Sequence, residues 1–493
     1  MNYRSTRSTG NETVSAAVAI KNGLAPDGGL YMPESIPTLS LDDLSALGKM
    51  TYPERAARIL SLYLSDYTEA ELLEDCRAAY SEDRFPGGAA PIREIDGKVF
   101  SLELWHGPTC AFKDMALQIM PRLLSRALRK TGETRTALIL VATSGDTGKA
   151  ALEGYRDVEG VKILVFYPTD GVSHIQKLQM ITQEGANVAV RGIFGNFDDA
   201  QSGVKQIFGD ADVAARLDRE GVFLSSANSI NWGRLAPQIA YYVSAYCDMV
   251  MGGHIKMGDP LDIAVPTGNF GNIFAAYLAR AMGVPLGRMI CASNKNNVLT
   301  EFLETGTYDR NRAFHMTTSP SMDILISSNL ERLLYLCFGP ERTSECMKKL
   351  KEDGRYSLAE SEIAKIREYF VGYCCDEAET AKSIALAFRE HAYLMDTHTA
   401  VGYSAARRAS AESDGTPIVL ASTASPYKFA PAVYRAVTER VAPDGVEALS
   451  VLNSVSGMPI PTPLCGLSEK PILHPTSIQP DDMVEAVMAF ARA

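Results

Sequence analysis

The 493-residue sequence predicts an open, doubly wound α/β protein with mostly parallel sheets. Three observations carry that expectation. The runs TALILVA at 136–142 and VKILVFY at 161–167 are apolar on both faces, as strands of a parallel sheet covered by helices on both sides must be. From about residue 91, strand-like and helix-like runs alternate, which is the pattern of repeated βαβ units. Glycine-rich turns fall between strand and helix at 143–148 (TSGDTG) and 268–272 (GNFGN), and ligands of such folds bind at the carboxyl ends of the strands.

In chain order, residues 1–90 read as a separate helical cap, with helices at 40–47, 52–64 and 68–79. The last opens with Thr68 followed by Glu71, a capping-box spacing. The Gly- and Pro-rich stretch 25–37 reads as turns, and RFPGG at 84–88 marks a boundary. The region 91–430 carries strands at 136–142, 161–167, 188–190, 222–224, 261–265, 289–292 and 418–421. Helices are expected at 149–156, 176–184, 198–208, 235–250 and 273–282. Residues 114–130 also read as helical, but Pro121 predicts a kink or two shorter helices. A mainly helical insertion covers 300–415, with helices at 332–337, 358–369 and 377–389. Residues 431–493 form a proline-bearing C-terminal extension closed by a helix at 480–492. A chain of this length needs two or three cores.

Composition narrows the class. Hydrophobic residues make up 46% and charged residues 22%, as in soluble globular proteins. A net charge of −11 argues against nucleic acid as a partner while permitting a local cationic pocket. The polar start lacks a signal core and no apolar run spans a bilayer, so no membrane partner is expected. Nine scattered cysteines without a CxxC pair predict reduced thiols in a cytoplasmic protein without a metal site.

The chemistry centres on Lys113, in WHGPTCAFKD at 105–114. A lysine amine is nucleophilic when deprotonated; partial burial lowers its pKa, and it can then capture a carbonyl as a Schiff base. A lone lysine is usually a surface residue, so the other segments decide. In TSGDTG the amides at a helix start, with the hydroxyls of Thr143, Ser144 and Thr147, suit a carboxylate. In GNFGN the amides can cradle a phosphate, and the missing third glycine weakens a dinucleotide reading. NSINWGR at 228–234 offers amides, a hydroxyl and an arginine fork for a phosphate ester. In STASPYKF at 422–429, Thr423 stands at a strand end, where a hydroxyl can bond a pyridine nitrogen without protonating it. His106, His174 and His315 lack a spaced partner and read as structural or peripheral.

These segments, with YRSTR and LAPDGGLYMPESIP near the start, SPSMDILISSNLERLL at 319–334 and LASTASPYKFAPAV at 420–433, resemble the threonine synthases. These are pyridoxal-phosphate enzymes of the tryptophan-synthase-β type, fold type II. The resemblance runs nearly end to end, and its length and Asp146 fit the longer subgroup. It implies that Lys113 carries pyridoxal 5'-phosphate as a Schiff base and that Gly268, Asn269, Phe270, Gly271 and Asn272 hold the cofactor phosphate. It implies that Thr423 bonds the ring nitrogen and that Asp146 lies near the phenolic oxygen, a contact unfavourable unless a proton lies between the two. Thr143, Ser144, Gly145 and Thr147 would bind the substrate carboxylate, and Asn228, Ser229 and Arg234 the substrate phosphate. The implied reaction takes O-phospho-L-homoserine and water to L-threonine and phosphate. The rivals are a phospholyase acting on a phosphorylated amino alcohol, with almost the same site, and a cofactor-binding protein without turnover.

Overall fold

Two parallel sheets position everything else. The computed structural model describes residues 1–493 apart from Ser144, Asp170, Gly171, Asp414 and Asp444, and the side chain of Asp198. The larger sheet has the order Phe370–Cys374, Leu286–Ser293, Leu261–Pro266, Ile418–Ser422, Val99–Glu103, Ile92–Glu94. Its strands are parallel except for the antiparallel pair Ile92–Glu94 and Val99–Glu103. The smaller sheet runs Ser477–Ile478, Val188–Ile193, Val161–Pro168, Thr136–Ala142, Val222–Ser225, all parallel. Leu261–Pro266 and Ile418–Ser422 are buried at every residue, as strands covered on both faces must be.

Several elements depart from the sequence reading, each for a local reason. Val99–Glu103 is a central strand that alternation did not reveal, because Ser101 and Glu103 interrupt its apolar run. Both are buried and both are satisfied by Tyr393, whose hydroxyl lies 2.7 Å from Ser101 Oγ and donates to Glu103 Oε1 at 3.0 Å. The helix Thr397–Ala411 was also missed; Asp396 caps it by accepting from the amides of His398 and Thr399. At Pro121 the chain forms two helices, Asp114–Leu117 and Met120–Lys130. The proline sits in the first turn of the second, where its missing N–H has no intrahelical partner to lose. The C-terminal extension contributes Ser477–Ile478 as an edge strand beside Val188–Ile193, and Met483–Arg492 buries Met483, Val487 and Met488 against that sheet.

The N-terminal residues share one apolar core with the helix Trp232–Met251. Tyr3 and Tyr63 each place a ring 5.5 Å from Trp232. Arg55 binds Asp248 at 2.5 Å and Ser244 at 2.8 Å on that helix. Thr6 and Arg7 both bond the Glu331 carboxylate, at 2.5–2.8 Å. Among the described residues no helix is long and apolar enough to cross a membrane.

The helix Asp146–Tyr155 lies close against the segment that presents Lys113. A Cβ added at Gly154 would stand 1.9 Å from the Leu117 carbonyl oxygen, a backbone atom that cannot swing away. Gly154→Ala is therefore expected to lower the unfolding free energy by about 1–3 kcal/mol, the usual range for overpacking, read from the midpoint of urea denaturation. An unchanged midpoint would show that the two helices are not in register as described.

Candidate active site

Each predicted motif follows the carboxyl end of a strand, and the two sheets direct them into one cleft. Lys113 lies in the loop after Val99–Glu103. That loop is sewn to the neighbouring strand end: the Phe112 N–H donates to Thr423 O at 2.8 Å, and Ala111 bridges Ala424. Within the loop Asp114 accepts from Thr109 N at 2.8 Å and Thr109 Oγ1 at 2.7 Å. Burial pushes its carboxyl up to about 6 against the pull of those bonds. Burial also pushes the Cys110 thiol up to about 12, which leaves it protonated and unreactive.

The Lys113 amine donates to Ser321 Oγ at 3.2 Å and lies 3.6 Å from Asp146 Oδ2. Burial holds it below the usual lysine range; Asp146 opposes that, while the cations Lys428 and Arg234 lower it further. Asp146, the first residue of its helix, also pairs through Oδ1 with Lys428 Nζ at 2.6 Å and accepts from Gln176 Nε2 at 2.9 Å. Burial alone would raise the Asp146 carboxyl, but Lys428 and Lys113 together hold it far below the ordinary carboxylate range. Lys428, whose side chain is 0% exposed, also donates to the Thr109 carbonyl at 3.0 Å. The sequence reading passed over Lys428, although a lysine inside the apolar run SPYKFAPA was a visible signal.

Two further residues were missed. The Ser321 amide donates to His398 Nε2 at 3.1 Å, and His398 Nδ1 lies 2.7 Å from Asp396 Oδ2. A backbone N–H can only donate, so Nε2 is the bare nitrogen and Nδ1–H points to Asp396. His398 thereby fixes Ser321, which holds Lys113. Arg332 is fully buried and has no carboxylate in contact among the described residues; burial pushes it down to about 9. It donates to Asn329 Oδ1, to Ile230 O at 2.6 Å and to Tyr31 O at 3.4 Å. Asn329 in turn bonds Asn269 O at 3.0 Å and Ser229 Oγ at 3.4 Å. One correction also follows: His106 does have a partner, Glu103 Oε2 at 2.8 Å, one helical turn earlier in spacing though not on a helix.

In the TSGDTG turn, the Thr143 oxygen accepts from the amides of Gly145 at 3.0 Å and Gly148 at 2.9 Å. Its acceptor capacity is used inside the turn, which leaves its proton for a ligand. Thr147 is half-buried, and Ser144 lies outside the described residues. In GNFGN, Phe270 takes the left-handed conformation, φ 64°, and Gly268 is pressed on Ser321 O, 2.8 Å from where a Cβ would stand. The helix Gly271–Ala281 makes its first backbone bond from Phe274 N to Phe270 O, so the amides of Gly271, Asn272 and Ile273 have no partner within it. Asn272 accepts from the hydroxyls of Tyr241 and Tyr242 at 2.6 and 2.5 Å, and its amide nitrogen is buried without a partner among the described residues. Asn269 and Asn228 are exposed, Ser229 half-buried and Thr423 buried. Arg234 is buried; Nη1 donates to the Ala227 carbonyl and Nε has no partner. Burial pushes its guanidinium down to about 10.

The residues fit pyridoxal phosphate on these observations. An amine of lowered basicity suits an aldehyde, and a preorganised set of unbonded amides suits a phosphate. Lys113, Lys428 and Arg234 against Asp146 give the cleft a cationic excess that anionic ligands relieve.

Comparison with known proteins agrees in extent. A family model described as threonine synthase N terminus matches residues 2–80, one for pyridoxal-phosphate dependent enzymes matches 87–424, and one for the threonine synthase C-terminal region matches 399–457. The threonine synthase of Pseudomonas aeruginosa is 39% identical over 423 residues, 84% of this chain and 86% of that one. Human threonine synthase-like 1 is 40% identical over 454 residues, 90% of this chain but 60% of that protein, so the chain spans about 60% of the length of that relative. The crystal structure of PLP-bound threonine synthase from Brucella melitensis superimposes with a TM-score of 0.89 at 36% identity, covering 100% of both chains.

The pKa of Lys113 is testable in the cofactor-free protein. Competitive labelling with an amine reagent, read by peptide mapping across pH, is expected to give Lys113 a midpoint below the ~10.4 of an ordinary lysine. In Lys428→Met, loss of the neighbouring cation should raise that midpoint. A midpoint that stays or falls would place Lys428 outside the electrostatic reach of Lys113.

Proposed function

The chain belongs to the threonine synthase family, and from that premise we propose that it converts O-phospho-L-homoserine and water to L-threonine and phosphate. Pyridoxal phosphate, its cofactor, supplies when bound the electron-withdrawing ring that stabilises negative charge at the substrate α-carbon. The protein supplies the rest. Lys113 binds the cofactor and, once displaced by the substrate amine, is a base that takes the Cα proton and can return it. Its lowered basicity makes the neutral amine easier to reach than in an ordinary lysine. Asp146, with Lys428 on its far oxygen, orients Lys113 and sets the charge at the cofactor's phenolic side. Thr423 meets the ring nitrogen with a neutral hydroxyl. Gly268, Asn269, Phe270, Gly271 and Asn272 hold the cofactor phosphate, and the turn Thr143–Thr147 receives the substrate carboxylate.

The observation that carries this reading is Arg234. A buried guanidinium that, among the described residues, has no carboxylate partner and an unbonded Nε is expensive unless a ligand completes it. With Asn228 and Ser229 it grips the phosphate that leaves Cγ, and it lies within electrostatic range of Lys113. Burial of the cleft keeps water away until phosphate has departed and Cβ is ready for addition. All nine cysteines are free, which supports a cytoplasmic setting.

Incubation with O-phospho-L-homoserine should release phosphate and threonine in equal amounts. Phosphate with ammonia and a keto acid, and no threonine, would make the protein a phospholyase. Borohydride reduction followed by peptide mapping should place the pyridoxyl group on Lys113; a label on another lysine would overturn that role. Arg234→Gln should lower kcat/KM by about two to three orders of magnitude, the effect of losing a buried charge-assisted contact worth about 2–5 kcal/mol. Cofactor content should stay normal; loss of cofactor with intact substrate affinity would exchange the two phosphate assignments.

A further inference from the structure

Outside the cleft, the helices Asp146–Tyr155 and His174–Ile181 and the C-terminal segment 463–471 border a second cavity of about 300 Å³. It lies one turn further along the same pair of helices: Asp146 and Gln176 meet in the cleft, whereas Lys149 and Gln179 line the cavity. The Gln179 residue is only 2% exposed, yet among the described residues neither its amide nitrogen nor its amide oxygen has a partner. An unmade donor and an unmade acceptor on one buried side chain are costly, and a ligand that supplies both relieves them.

The charges around the cavity come in both signs. Lys149 is 3.3 Å from Glu153 and bonds the Gln183 side chain. Its amine is pushed down by burial, pulled up by Glu153 and pushed down again by Lys470. Lys470 is exposed and forms no ion pair among the described residues. Lys470 thus stands near the Lys149–Glu153 pair as a cation that has no carboxylate partner among the described residues. Glu184 stands on the same lining, with Arg156 its one ion-pair partner among the described residues, at 3.7 Å. A dianion entering here would meet Glu153 and Glu184, and a simple cation would meet Lys149 and Lys470. A zwitterion satisfies both sets, and Gln179 offers it one donor and one acceptor. Pro108, Pro463, Leu467 and Pro471 complete the wall and suit a short apolar side chain. The volume is at the small end for ligand pockets.

We propose that this cavity binds a free α-amino acid with a short aliphatic side chain, its carboxylate toward Lys149 and Lys470 and its ammonium toward Glu184. The site is separate from the reaction at Lys113. The test uses holoenzyme reduced with borohydride, in which the active-site lysine can no longer be displaced by an amine. Calorimetric titration with L-alanine, L-valine and L-isoleucine should give saturable binding of at least one of them, one per chain. Gln179→Met should weaken it by about tenfold or more, and the exposed substitution Lys470→Ala by about threefold to tenfold, as expected for losing one hydrogen bond or one partly screened charge. Absence of saturable heat from all three amino acids overturns the proposal, as does equal binding in both variants. Inorganic phosphate binding in place of the amino acids also overturns it. Turnover of O-phospho-L-homoserine is measured separately on unreduced enzyme, so failure here leaves the proposed reaction standing.

Discussion

The structure is arranged around one buried carboxylate, Asp146, shared between two buried lysines. Lys113 lies 3.6 Å from one oxygen and Lys428 2.6 Å from the other. Each lysine comes from a different loop of the larger sheet, and Asp146 comes from the smaller one. The charge cluster therefore clamps the two sheets at the point where the reaction is placed. A buried ion cluster is a poor source of net stability because desolvation offsets much of the attraction. Its value here is geometric and electrostatic. It keeps Asp146 ionised, it gives Lys113 a fixed place while burial lowers that amine's basicity, and it leaves an excess of positive charge for anions. If Asp146 lies near the cofactor's phenolic oxygen, as proposed, Lys428 on its other oxygen would offset part of the repulsion between the two anions.

The legible part of the fold was that with a simple period. TALILVA and VKILVFY are legible as strands because apolar residues dominate both faces of each run, and Pro121 divides a helix because it lacks an N–H. The strand Val99–Glu103 was not legible, since Ser101 and Glu103 are polar in sequence and both are met in the fold by Tyr393, about 290 residues away. The same division holds in the site. Glycine turns after strands announce themselves, because their chemistry is local backbone geometry. Lys428, His398 and Arg332 act through partners distant in sequence, and single residues of that kind carry no spacing to read. The DTHT segment held one local hint, an aspartate two residues before a histidine, which in the fold becomes the Asp396–His398 bond that supports Ser321.

The N-terminal residues act on the site through adjacent residues of one helix. Glu331 takes Thr6 and Arg7, and Arg332 takes the Tyr31 carbonyl. Arg332 then holds Asn329, which touches Asn269 in one phosphate turn and the Ser229 hydroxyl in the other. The two turns are thereby fixed relative to each other by a bridge that begins in the first 31 residues. This gives YRSTR and LAPDGGLYMPESIP a physical task, although neither carries a group that enters the cleft.

Arg234 and Arg332 show how similar burial leads to different roles. Both guanidiniums are buried and both are pushed down by desolvation, to about 10 and about 9. Neither has a carboxylate in contact among the described residues. Arg332 directs all three of its nitrogens to backbone carbonyls and an amide oxygen, so its hydrogen-bonding needs are met by the fold and it serves as a brace. Arg234 gives one nitrogen to Ala227 and leaves Nε unbonded, in a cleft where Asn272 also presents an unbonded amide nitrogen. Among the described residues nothing completes these donors, and an oxyanion is the kind of group that would. On the proposed assignment, the cofactor phosphate would be served by the turn of backbone amides at Gly268–Asn272. The arginine therefore suits the anion that comes and goes, where a charge that binds strongly in a dry cleft weakens once water enters.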